Sequence, residues 1–90
     1  MWKDITGYSR GDREREPNVW ELRAGVLRIT LVKKHIDFPD CWVYSCQPLF
    51  PQLVLGSVED FTLEEAQAKV IDRVIDWLNK ATRAIWDVTV

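Results

Sequence analysis

An α+β fold is predicted for this sequence: an antiparallel sheet of three to four strands packed against one long C-terminal helix. Three observations carry that prediction. Apolar and polar residues alternate twice over 19–36, with a glycine between the two runs. A third run rich in β-forming residues, 41–47, is closed by prolines. From Leu63 onward the apolar residues change to a spacing of three and four behind a capping signature.

The elements follow in chain order. Residues 1–18 read as a polar N-terminal arm, because Gly7, Gly11 and Pro17 break any helix and 9–16 mixes both signs of charge. Trp2, Ile5 and Tyr8 are its anchors, and 9–16 is expected to be mobile. The body is expected over 19–90. In 19–24, Trp20, Leu22 and Ala24 point one way while Glu21 and Arg23 point the other. Gly25 supplies the turn. In 26–36, Leu27, Ile29 and Leu31 alternate with Arg28, Thr30, Val32 and Lys34, completing a hairpin. Pro39 marks 37–40 as a loop, since it cannot donate to a sheet ladder. Strand 41–47 follows, and 52–55 offers a short fourth strand before Gly56-Ser57.

The helix begins at Thr62-Leu63-Glu64-Glu65, where Thr62 caps and Glu65 reaches back to its amide. Ala66, Val70, Ile71, Val74, Trp77, Leu78, Ala81 and Ile85 fall within one arc of roughly 140°. At about 1.5 Å per residue, 63–86 would reach on the order of 36 Å, so the last turns are expected to overhang a short sheet. The expected core comprises Trp20, Leu22, Leu27, Ile29, Leu31, Val70, Val74, Trp77 and Leu78.

Composition narrows the function classes. Ninety residues with 47% apolar content make one folded unit, and five tryptophans add area to a small core. The net charge of −2 hides an asymmetry: residues 1–35 hold eight cationic and five acidic side chains, and 36–90 hold four and nine. So mild a basic half permits nucleic acid without indicating it. No apolar run approaches the roughly 20 residues of a membrane helix, and Met1-Trp2-Lys3-Asp4 has no secretory pattern. Cys41 and Cys46 are too few for a disulfide scaffold, and their odd separation sends them to opposite faces of one strand. A cytoplasmic location follows from this usage.

Each chemical motif has a plainer reading that is preferred. Arg10-Gly11-Asp12 spells an adhesion tripeptide but reads as a charged glycine turn. His35 reads as a surface histidine at a strand end, and the two cysteines as packing residues without an activating base. Glu59-Asp60 and Glu64-Glu65 read as helix-start electrostatics. With one histidine and no second cysteine pair, no zinc site is expected. No phosphate loop, ligand cluster or triad set is present, so no cofactor and no catalysis are expected.

The outer face of the sheet is the candidate binding surface. It carries Arg23, Arg28, Thr30 and Lys34, with Glu21 and Val32 beside them. The parity of the third strand is open. Burying Trp42 and Tyr44 under the helix is the favoured arrangement; facing outward, they would add two aromatics to the cations and make a recognition surface. Arg10, Arg13 and Arg15 of the arm belong to the same candidate set.

Two resemblances accompany this reading. Three strands leading into Leu55-Gly56-Ser57 and then Phe61-Thr62-Leu63-Glu64-Glu65-Ala66 resemble the strand-to-helix junction of AP2-type and integrase-type DNA-binding domains. That likeness implies a β-β-β-α build whose sheet enters the major groove, although this junction is two residues longer. Tyr8-Ser9-Arg10-Gly11-Asp12-Arg13-Glu14-Arg15 with Trp20-Glu21-Leu22 is similar to small uncharacterised proteins of bacterial phages and prophages. It implies a bacterial or phage cytoplasm and a chain that acts by binding. The function expected is a small non-enzymatic module that binds a host protein, with sheet-face DNA binding as the alternative. Trp86, Val88 and Val90 lie beyond the helix pattern as a strand-like apolar tail, which favours a weak homodimer.

Overall fold

In a computed structural model of the chain, which describes residues 1–7 and 17–89, five strands and one helix follow in order. They are β1 (Lys3–Asp4), β2 (Val19–Ala24), β3 (Leu27–His35), β4 (Phe38–Gln47), β5 (Phe50–Ser57) and α1 (Leu63–Thr89). The strands form one antiparallel meander in chain order, and α1 lies across one face of it. The α+β prediction therefore holds, with more strands than the three to four expected.

Local chemistry explains each junction. Gly25 has φ +60° at the first central position of a two-residue β2–β3 turn, a conformation glycine adopts without steric cost. Pro39 lies within β4 and not in a loop. It stands near the strand's start, where β3 bulges between Lys33 and His35 and Lys34 takes φ +56°, so regular pairing is already interrupted. The Gln47–Pro48 peptide at the β4–β5 turn is cis. β5 is longer than the expected 52–55, pairing with β4 from Phe50 to Ser57.

The N-terminal segment is not wholly an arm. Lys3 pairs with Glu21 and Asp4 with Trp20, adding an edge strand. The Thr6 hydroxyl, itself buried, accepts the Asn18 and Val19 amides at 2.9 and 3.1 Å and fastens the segment to β2. The expectation of mobility over 9–16 lies outside the described residues, as does the anchor Tyr8.

The capping box forms as its residues predict. The Glu65 amide donates to Thr62 Oγ1 at 3.2 Å, and the Thr62 amide donates to Glu65 Oε1 at 3.1 Å. Between the sheet and the first half of α1 lies the core: Trp20, Ile29, Leu31, Trp42, Tyr44, Cys46 and Leu55 against Ala66, Val70 and Val74. Leu22, Leu27 and Leu78 of the expected core are only half-buried. Trp77 is 37% exposed, its ring tilted 5.5 Å from that of Phe50, because it lies where the helix begins to outrun the strands beneath it.

The tail also departs from expectation. Residues 86–89 continue α1 as helix rather than forming a strand-like extension. No glycine or proline interrupts 63–89, so the helical hydrogen bonds run on past the end of the sheet. The molecule measures 58 × 26 × 22 Å.

Candidate functional site

The outer sheet face, where the sequence places its binding residues, is built by strict alternation. Register sets Glu21 opposite Thr30 and Arg23 opposite Arg28, so these four side chains emerge together. The Glu21 carboxylate binds both arginines, through Arg23 Nε and through Arg28 Nε at 3.1 Å. The Arg23 hydrogen bond, with Arg28 behind it, holds the Glu21 carboxyl below the usual carboxylate range. Two of the face's cations thus already serve an internal anion. Lys34 is exposed at the bulge.

Trp42 and Tyr44 do not join this face. Trp42 pairs with Lys33 and Tyr44 with Leu31, on the same side as the Leu31 and Ile29 core, and both rings are buried under α1. The favoured arrangement, with both rings under the helix, is the one formed, and the outward alternative that put them in the candidate surface is corrected by this register. Packing supports it: Trp42 lies 5.9 Å from the Trp20 ring, its indole N–H donates to the Phe61 carbonyl at 3.3 Å, and Lys33 caps its face at 5.7 Å. Burying both rings recovers far more apolar area than burying Cys41, Val43 and Ser45 would. Arg10, Arg13 and Arg15 lie outside the described residues, and so does the Arg10-Gly11-Asp12 motif.

An apolar row crosses the outer face in place of aromatics. Val19 is opposite Val32, Val32 opposite Val43 and Val43 opposite Val54, with Ile5 bonded to Val19 at the far edge. Neighbouring β-branched side chains of this kind stabilise strand pairing.

The larger apolar surface is elsewhere. Leu22, Ala24, Leu27 and Ile29 form one wall of a groove of about 230 Å³, and Ile71, Val74, Ile75 and Leu78 of α1 form the other. Past the groove, Ile85, Trp86 and Val88 stand 62%, 64% and 83% exposed on the overhanging helix. Sequence reasoning singled out Trp86 and Val88 but not the groove. The signal available for it was Ile75, an apolar residue just outside the main helical arc.

Chemistry-bearing residues are sparse. His35 Nδ1 accepts the Asp37 amide at 3.1 Å, and Nε2 lies 2.8 Å from the Gln52 carboxamide, so both ring nitrogens have partners. Cys41 and Cys46 are both unpaired thiols; burial pushes the Cys46 thiol up, which suits a packing role. Among the described residues no three His, Cys, Asp or Glu side chains gather as a metal site, and no helix is long and apolar enough to cross a membrane.

No family model, curated protein or solved structure matches the chain. The two resemblances therefore rest on the residues quoted for them, and the functional reading rests on surface chemistry.

Proposed function

We infer that this protein is a small non-enzymatic protein-binding module, and that its contact surface is the groove beside α1 together with the helix end that extends beyond it. One observation carries the reading: Ile75, Ile85, Trp86 and Val88 are all more than half exposed along one helix. So many large apolar side chains left in water on one helix, an aromatic among them, have the composition of an interface core and are uncommon on a chain that works alone. In this reading the protein acts in a bacterial cytoplasm on a host protein, in keeping with the similarity to phage and prophage sequences.

The alternative, DNA binding through the sheet, draws less support. Its aromatics are in the core, and Glu21 occupies the two arginines that would meet phosphate. Two measurements test the choice. Immobilised full-length chain should capture a defined protein from bacterial lysate, and Ile85→Glu and Trp86→Glu should each abolish that capture while Arg28→Glu leaves it intact. Capture that survives both helix substitutions would overturn the assignment of the surface. Titration of random duplex DNA at low salt should show no binding; affinity falling steeply with added salt would restore the DNA reading.

A further inference from the structure

At the margin of the face that meets the sheet, α1 carries a stripe that is half-buried at Ile71 and Leu78 and exposed at Ile75 and from Thr82 onward. Ile71, Ile75, Leu78, Thr82, Ile85 and Thr89 follow one another at spacings of four, three, four, three and four. That alternation is the signature of a seam between two helices. The two threonines do not interrupt it. Thr82 Oγ1 donates to the Leu78 carbonyl at 2.8 Å and Thr89 Oγ1 to the Ile85 carbonyl at 3.0 Å, so each hydroxyl is satisfied within its own helix and its methyl is left for the seam. No charged residue falls in the stripe. Asp76 and Lys80 pair with each other at 3.0 Å on the far side of the helix.

The spacing of the stripe is also symmetric, although only one of its residue pairs is identical. Ile75 and Ile85, Leu78 and Thr82, and Ile71 and Thr89 lie at equal distances on either side of residue 80. Symmetric spacing lets the stripe of one copy keep register with that of a second copy turned end for end, the geometry of an isologous interface. Its two halves differ in setting: around Ile71–Leu78 the stripe walls a groove against the sheet, whereas around Thr82–Thr89 it stands free as a ridge.

We propose that the occupant of the groove is a second copy of this chain, the two α1 helices pairing antiparallel about residue 80 so that the free end of each fills the groove of the other. This inference rests on the protein-binding reading and names one partner for that surface. In this register Ile85 of the second copy meets Ile75, Thr89 meets Ile71, and Val88 lies beside Val74 toward Leu22 and Ile29. Trp86 of the second copy covers the outer side of the seam. Each copy contributes a ridge and a groove, so the contact is made twice and closes at two chains.

Sedimentation of the full chain at about 5 and about 300 μM tests association by mass action. The mass should rise from 10.5 kDa toward twice that value with concentration. Ile85→Glu should weaken association at least tenfold, with unchanged helical circular dichroism showing that the body is folded. Thr82→Leu, which adds apolar bulk to the seam, should strengthen it; Lys80→Glu, on the opposite face, should not change it. Register is tested by Ile75→Cys/Ile85→Cys in a Cys41→Ser background. Within one helix these positions are about 15 Å apart, too far to bridge. Mild oxidation should therefore yield a covalent dimer from the double variant and from neither single variant. A wild-type chain that stays at one mass throughout, or single variants that cross-link as readily as the double, would overturn the proposal. A monomeric chain that still captures a different protein through Ile85 and Trp86 would remove the dimer and leave the protein-binding reading in place.

Discussion

At the scale of single residues, Glu21 and Gly56 have environments that their sequence neighbours do not announce. Glu21 sits between two arginines, and its carboxyl titrates below the ordinary range. A depressed folded-state pKa contributes stability that is present above the unfolded-state value and is lost as pH falls through the folded one. The gap in unfolding midpoint between wild type and Glu21→Gln should thus be widest near neutral pH, begin to narrow as pH falls below about 4, where the unfolded carboxyl takes up its proton, and close as pH passes below the depressed folded value. A gap independent of pH would mean that the arginines do not hold the carboxylate. Gly56 faces a different constraint: a Cβ there would lie 2.9 Å from the Phe61 ring. Gly56→Ala should cost about 1–3 kcal/mol in chemical denaturation, and Phe61→Leu in the same chain should relieve part of that cost.

At the scale of elements, α1 is one helix with two environments. Its first half is fastened by the reciprocal Thr62 and Glu65 bonds and by Ala66, Val70 and Val74 in the core. Thr62→Ala should cost about 0.5–2 kcal/mol, read from the denaturation midpoint. The second half has no sheet beneath it, and in dilute solution its backbone bonds depend on helix propensity alone. Amide exchange at micromolar concentration should accordingly be slow over 66–78 and progressively faster from 80 to 89. Uniform protection along the helix at that concentration would show that the overhang is held by contacts within one chain.

At the scale of the whole molecule, the core is concentrated where β3 and β4 pass under the start of α1. Leu31 is fully buried there, whereas Trp77 lies at the margin. Leu31→Ala should cost about 2–5 kcal/mol, and Trp77→Ala should cost less despite removing the larger side chain. The reverse order would place the centre of packing further along the helix. The longest dimension is 58 Å, and the apolar end of α1 is the surface on which the proposed binding and self-association rest.

Much of this fold was legible in the sequence because the deciding interactions are local. The β2–β3 hairpin follows from two alternating runs around Gly25, and the start of α1 follows from Thr62 and Glu65 three residues apart, each within reach of a few bonds. Arg23, Arg28 and Thr30 could be assigned to one face for the same reason. The side taken by Trp42 and Tyr44 could not, since 41–47 offers apolar residues on both faces and only pairing of β4 with β3 decides which one meets the helix. β1 was unreadable because two residues carry no periodicity; its pairing with β2 depends on Thr6 closing a contact across the chain. The groove and the exposed helix end belong to the same class. Helical spacing determined that a stripe of apolar residues would exist from Leu63 to Ile85, but how much of it is covered depends on the width of the sheet, a dimension set by long-range strand pairing.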